Sequence, residues 1–107
     1  MFIFLKQIIF IFLLFTSNFI QASSFEEGLY FSQNGDFKNA FIQWHPLAKQ
    51  GNIDAQFQIG LMYSYGNGVK QDYFEALKWH ELAGNNGNRT AQLFLGDLYF
   101  DGENIPQ

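Results

Sequence analysis

The stretch AQFQIGLMYSYGNG begins at Ala55, and AQLFLGDLYFDGEN begins at Ala91, 36 residues later. Under that shift Ala55, Gln56, Gly60, Tyr63, Gly66 and Gln71 meet identical residues at Ala91, Gln92, Gly96, Tyr99, Gly102 and Gln107. Ile59/Leu95, Met62/Leu98 and Val69/Ile105 keep their character. The same shift works upstream, pairing Asp36 with Asp72, Phe37 with Tyr73, Ala40 with Ala76, Gly51 with Gly87 and Asn52 with Asn88. One period in two overlapping windows marks a repeat array, and periods of this size build solenoids whose units bury their apolar faces on each other.

Inside a unit the spacing reads as two helices. Ala55, Ile59, Met62 and Tyr63 recur at helical intervals as one apolar stripe. Gly60 sits beside that stripe, where a glycine costs about 1 kcal/mol relative to alanine. Its reuse at Gly96 calls for the close approach of a neighbouring helix. GNGVKQ breaks the helix, with Gly66 or Gly68 able to adopt positive φ. Asp72 followed by Glu75 resembles a capping pair. The helix it opens carries Ala76, Trp79 and Ala83 on one face and stops at Gly87. The spacing predicts five helices, over 24–33, 36–50, 54–65, 72–86 and 90–101, stacked as antiparallel hairpins with no sheet. That is an all-α chain, an α/α solenoid. Pro46 lies inside the second helix and should kink or interrupt it.

These residues resemble a known family. AQFQIGLMYSYGNGVKQDYFEALKWHELAGNNGN is similar to a Sel-one-like repeat, a helical hairpin related to the tetratricopeptide repeat. The family pattern is met by Ala55, Ile59-Gly60, Tyr63, Gly66-Asn67-Gly68-Val69, Asp72, Ala76, Trp79, Ala83 and Gly87. GDFKNAFIQWHPLAKQGN resembles the segment that precedes such units in exported bacterial members, with Trp44 one place later than the period predicts. The resemblance implies an opening hairpin over 24–52, a full repeat over 53–88 and an incomplete repeat over 89–107, together the domain 23–107. The last unit departs from the pattern: Gly68 becomes Asn104 and Lys70 becomes Pro106. The helix expected to cover Ala91, Leu95, Leu98 and Tyr99 is missing, as in a truncated gene, unless the last helix is itself the cap. An open last repeat of this kind is a surface for self-association.

The first 22 residues form a separate segment. Lys6 precedes eight unbroken apolar residues, Ile8 to Phe15, and Ala22 supplies a small residue before a cut. That is the layout of a secretory signal peptide over 1–22, and it implies an exported protein, periplasmic or secreted. The alternative is an uncleaved segment that anchors the chain, although the unbroken core is shorter than the ~20 residues of a spanning helix. After cleavage no stable membrane insertion is expected. Loss of Lys6 leaves five basic residues against ten acidic ones. That balance argues against nucleic acid as a partner. There is no cysteine to staple an exported fold, so helix packing alone must hold it.

Little in the chain points to catalysis. His45 and His80 each follow a tryptophan on the second helix of successive units, but no third ligand stands at metal-binding spacing. They are expected to be structural or solvent-facing. The serines lack a nucleophile elbow, and GNGVK lacks phosphate-loop spacing. Trp44 and Trp79 read as core anchors. No cofactor or metal is called for. The resemblance implies a non-catalytic protein–protein interaction scaffold or adaptor that takes a protein or peptide partner. A β-lactamase-like or penicillin-binding hydrolase is the alternative, suggested by cysteine-rich relatives whose cysteines and S-x-x-K are absent here. A non-functional remnant of a truncated gene is a third reading.

Positions that change class between units mark where a partner would sit. Leu61 becomes Asp97, Ser64 becomes Phe100 and Tyr65 becomes Asp101. On a helical wheel these lie opposite the stripe through Ala55, Ile59 and Tyr63. The resemblance implies that first helices line the concave side, so Leu61, Ser64, Tyr65, Asp97, Phe100 and Asp101 are the candidate partner-binding residues. Their mixture of aromatic and acidic groups suits a basic or amphipathic peptide.

Overall fold

A computed structural model describes the backbone of residues 2–103, with side chains over 4–13 and 24–100. Among these residues there are five helices and no strand: α1 (Phe2–Gln33), α2 (Phe37–Lys49), α3 (Ile53–Tyr65), α4 (Tyr73–Asn85) and α5 (Arg89–Glu103). The four later helices lie where the spacing places them. The first does not begin at 24, because α1 runs unbroken from Phe2. No proline falls between Phe2 and Gln33, and no turn signal interrupts the helix-compatible run of that segment. The proposed cut around Ala22 has its side chains outside the described residues.

Polar side chains set the helix starts. Asp36, Asn52 and Asp72 stand at the N-caps of α2, α3 and α4, and each accepts from a backbone N–H of the first turn. Asp72 Oδ1 takes both the Phe74 and Glu75 amides, while the Glu75 carboxylate pairs with Lys78 rather than returning to the cap. Asn88 repeats the Asn52 cap one unit on, accepting from Ala91 as Asn52 accepts from Ala55. Gly66 ends α3 in the left-handed region at φ 70°, and Gly68 follows it there at φ 73°. A Cβ on Gly68 would stand 2.6 Å from the Phe37 carbonyl oxygen, so this loop can seat on the start of α2 only as glycine.

Pro46 does not interrupt α2. It lies in the last turn, and the carbonyl it deprives of a donor belongs to Ile42, which is exposed and can be served by water. Each helix packs on the one before and the one after it. Ring contacts then bridge alternate helices: His45 of α2 meets Trp79 of α4, and Phe57 of α3 meets Phe94 of α5. First helices and second helices thus form two layers of a stack. Ala40, Trp44, Leu47, Ala48, Ala55, Ile59, Met62 and Trp79 fill the interior between the layers.

The expected bare stripe on α5 needs correction. Ala91 is fully buried, and Leu95 and Leu98 are half-buried, leaving only Tyr99 of that set exposed. The reason is that this arc of α5 turns back onto α4: Leu95 Cδ1 and the Gln92 side chain lie against Gly84.

Candidate functional site

The hairpins are closed by a glycine and a ring. His80 of α4 lies over Gly60 of α3, with its Cε1 2.5 Å from where a Cβ would stand. Trp44 of α2 lies over Gly28 of α1 in the same way. The close approach read from Gly60 is therefore real, and it explains the placing of Trp44. Trp44 corresponds to His80, not to Trp79, and its Nε1 donates to the Phe25 carbonyl at 3.1 Å.

His80 is fully buried, and neither ring nitrogen has a hydrogen-bond partner. Phe57 and Phe94 each pack 5.5 Å from it. Desolvation lowers its pKa to about 4, so the ring is neutral at pH 7. His45 stacks on Phe41 at 4.7 Å, and its pKa is also lowered, first by burial and then by Lys49. Both histidines are thus packing groups. Among the described residues no three His, Cys, Asp or Glu side chains are grouped to hold a metal ion.

The repeated Ala-Gln pair also has a physical purpose. Gln56 Nε2 donates to the Ala48 carbonyl at 3.1 Å, and Gln92 Nε2 donates to the Gly84 carbonyl at 2.9 Å. Each glutamine adds a second donor to a carbonyl at the C-terminal end of the preceding helix, beside the Gly51 amide at Ala48 and the Gly87 amide at Gly84. This bond ties one hairpin to the next.

The candidate contact residues divide between two faces. Asp54, Gln58, Leu61 and Tyr65 form the remaining arc of α3, on which Asp54 and Tyr65 are exposed, Tyr65 by 62%, and Gln58 and Leu61 are half-buried. Asp97 continues that arc on α5 and is exposed. The side chain of Asp101 lies outside the described residues. Ser64 is misplaced in the set: it is 8% exposed, and its hydroxyl donates to the Gly60 carbonyl at 2.9 Å. The wheel argument allowed α3 a single buried stripe, whereas a helix with neighbours on two sides buries two. Phe57, Gly60 and Ser64 make up the second. Phe100 is 68% exposed and sits on the α5 counterpart of that second face, together with Leu93 and Gly96. Leu93 was not singled out from the sequence, although Phe57 and Leu93 keep apolar character across the 36-residue shift.

Stacked antiparallel hairpins, each closed by a ring on a glycine, define an α/α solenoid of tetratricopeptide-like units. The Sel1 repeat model matches residues 53–88 and 89–107, and the chain belongs to that family. It is 46% identical over 59 residues to a sel1-like repeat-containing protein of Acanthamoeba polyphaga mimivirus, covering 55% of this chain and 11% of the viral protein. Protein sel-1 homolog 2 of Homo sapiens is 36% identical over 64 residues, covering 60% of this chain and 9% of the human one. The ERAD-associated E3 ubiquitin-protein ligase component HRD3B of Arabidopsis thaliana is 33% identical over 63 residues, covering 59% of this chain and 10% of its own. A solved structure of a protective antigen of uropathogenic Escherichia coli strains, displaying an SLR fold, superposes with a TM-score of 0.72 at 34% identity. It covers 77% of this chain and 18% of the antigen. The chain thus spans about a tenth of the length of the curated relatives it matches.

Proposed function

We propose that this chain is a non-catalytic protein-interaction module whose contact surface is the exposed arc of its first helices. One observation carries the reading. Leu61, Tyr65 and Asp97 stand on one arc of the first helices, on which Tyr65 and Asp97 are exposed and Leu61 is half-buried. An exposed aromatic beside an apolar and an acidic side chain, held on packed helices, is the composition of a recognition surface. The partner is a basic or amphipathic peptide or protein segment, in keeping with the acidic balance of the chain. That one relative is named as a component of a ubiquitin ligase supports a role within an assembly. Ser64 is withdrawn from the surface because it is buried, and Phe100 is withdrawn because it lies on the other face of α5.

The test is a Tyr65→Ala, Asp97→Ala double variant that keeps the parent's helical circular dichroism. It should lose the partners that the parent captures from its host, and identical captures would place the surface elsewhere. The hydrolase alternative is separated by a nitrocefin assay on purified protein, in which no turnover is expected.

The same proposal includes export. Lys6, the apolar run from Ile8 to Phe15 and Ala22 support cleavage after about residue 22. Among the described residues no helix is long and apolar enough to cross a membrane. N-terminal sequencing of the periplasmic or secreted product should find Ser23 or a near neighbour first. Finding Met1 would favour an uncleaved anchor.

A further inference from the structure

Asparagine followed by glycine occurs three times, at Asn34-Gly35, Asn67-Gly68 and Asn86-Gly87, in the turns after α1, α3 and α4. The pair has a chemistry of its own, because glycine has no Cβ to shield its backbone nitrogen from the side chain before it. That nitrogen, as its anion, can attack the asparagine Cγ and close a succinimide ring. Closure needs a free glycine N–H, a free asparagine side chain and a backbone that lets Cβ eclipse the glycine nitrogen. Two of the pairs are held away from it. Asn34 Nδ2 donates to the Tyr30 carbonyl at 2.7 Å, and the Gly35 N–H donates to the Ser32 carbonyl at 3.0 Å. The Gly87 N–H donates to the Gly84 carbonyl at 3.1 Å. Asn86 also has ψ 8°, so its own backbone nitrogen, not its Cβ, eclipses the Gly87 nitrogen. Asn67-Gly68 is different. The Asn67 backbone N–H donates to the Met62 carbonyl, but among the described residues neither its side-chain amide nor the Gly68 N–H makes a hydrogen bond. Gly68 is exposed and Asn67 half-buried, so solvent reaches the pair.

We propose that Asn67 is a self-modification site of this chain, converting through a succinimide to an acid with water as the only co-reactant. The Gly68 nitrogen gives its proton to solvent base and bonds to Asn67 Cγ. The Cγ–Nδ2 bond breaks, and ammonia leaves. Water then opens the ring at one of its two carbonyls. Attack at Cγ leaves aspartate on the original backbone. Attack at the Asn67 backbone carbonyl leaves isoaspartate, whose main chain runs on through Cβ and Cγ. Both products set a carboxylate just past the C-terminal end of α3, where the helix dipole disfavours negative charge. Isoaspartate also lengthens the main chain by one carbon directly ahead of Gly68. That place has no slack, since even a Cβ on Gly68 would stand 2.6 Å from the Phe37 carbonyl oxygen. Conversion therefore lifts the α3–α4 loop off the start of α2. The site is independent of the reading of the chain as an interaction module.

The test is timed tryptic digestion of the purified full chain, held in warm, mildly alkaline buffer. Trypsin cuts after Lys38, Lys49, Lys70, Lys78 and Arg89, which puts Asn34, Asn67 and Asn86 in separate peptides. Mass spectrometry reads the amide-to-acid mass gain in each. In the folded protein the peptide 50–70 should convert about fivefold faster than the other two, the factor that one net hydrogen bond holds back. In urea, where those bonds are gone, the three rates should converge. Fragment ions should place the change at Asn67. Asn67→Gln should abolish it, because the longer side chain closes a ring poorly. Aged parent protein should also melt below equally aged Asn67→Gln protein. Conversion of 50–70 no faster than the other peptides in the folded state would overturn the proposal. So would a change at Asn52 in place of Asn67, or an unchanged spread of rates in urea. Aged parent and aged variant melting alike would overturn the effect on the loop.

Discussion

His80 holds an ionisable ring where no water reaches, and the consequence is a pH-dependent fold. The imidazole is fully buried, both nitrogens lack partners, and burial lowers its pKa from 6.5 to about 4. Desolvation is the sole cause of the shift, so no neighbouring carboxylate offsets it. In the unfolded chain the same group titrates near 6.5. Between those two values the unfolded state binds more protons than the folded one, so stability rises with pH there. The contribution is complete above about pH 6.5, falls as acid is added, and is fully lost by about pH 4. The whole span is worth about 3 kcal/mol, and the drop from pH 7.5 to pH 5 is about 2 kcal/mol. His45 acts in the same direction, since burial lowers its pKa too. The assay is urea unfolding followed by tryptophan fluorescence at those two pH values, for the parent and for His80→Phe. Phenylalanine should fit, because the counterpart place in the first hairpin already holds Trp44. The parent should lose about 2 kcal/mol on acidification, and the variant most of that less. The variant should also be at least as stable near pH 7.5, since two buried unpartnered nitrogens are gone. Equal pH slopes for parent and variant would refute the reasoning, by showing His80 solvated or paired.

Three further substitutions separate the contacts described above. Gly60→Ala sets a Cβ against the His80 ring and should destabilise by about 1–3 kcal/mol, whereas Gly96→Ala meets nothing and should stabilise by up to about 1 kcal/mol; thermal melts compare them directly. Gln56→Ala removes one of two donors to the Ala48 carbonyl, leaving the Gly51 amide, and should cost about 0.5–1.5 kcal/mol in urea titrations, the net worth of one hydrogen bond. Asp72→Ala removes the acceptor for two amides at the start of α4 and should cost about 0.5–2 kcal/mol, while Asp72→Asn should cost less.

The repeat made most of the fold legible. Periodicity and caps located α2 to α5 to within about two residues, since Asp36, Asn52, Asp72 and Asn88 are local signals that local geometry obeys. Gly60 was legible as a contact because an unfavourable residue had been used twice. What covers it was not, since His80 reads as a polar residue until three helices converge on it. Trp44 looked displaced for a related reason: sequence alignment matched tryptophan with tryptophan, while packing matches ring with notch. The division of α3 into exposed and buried faces was only half legible. A helical wheel separates two arcs of a helix, and α3 has three: one against α2, one against α4 and one exposed. Tyr65 fell on the exposed arc and Ser64 on a buried one, a single residue away. The start of α1 followed from no local signal, because nothing in that segment distinguishes a leader helix from the helix it continues into.

The role assigned to the first helices is tested most directly by mapping amide chemical-shift changes while a captured partner is titrated into labelled protein. The changes should concentrate on the exposed arc, at Gln58, Leu61, Tyr65 and Asp97, and should leave the outer side of the second helices, marked by Ile42, Phe74 and Leu82, unperturbed. Changes confined to α2 and α4 would contradict it.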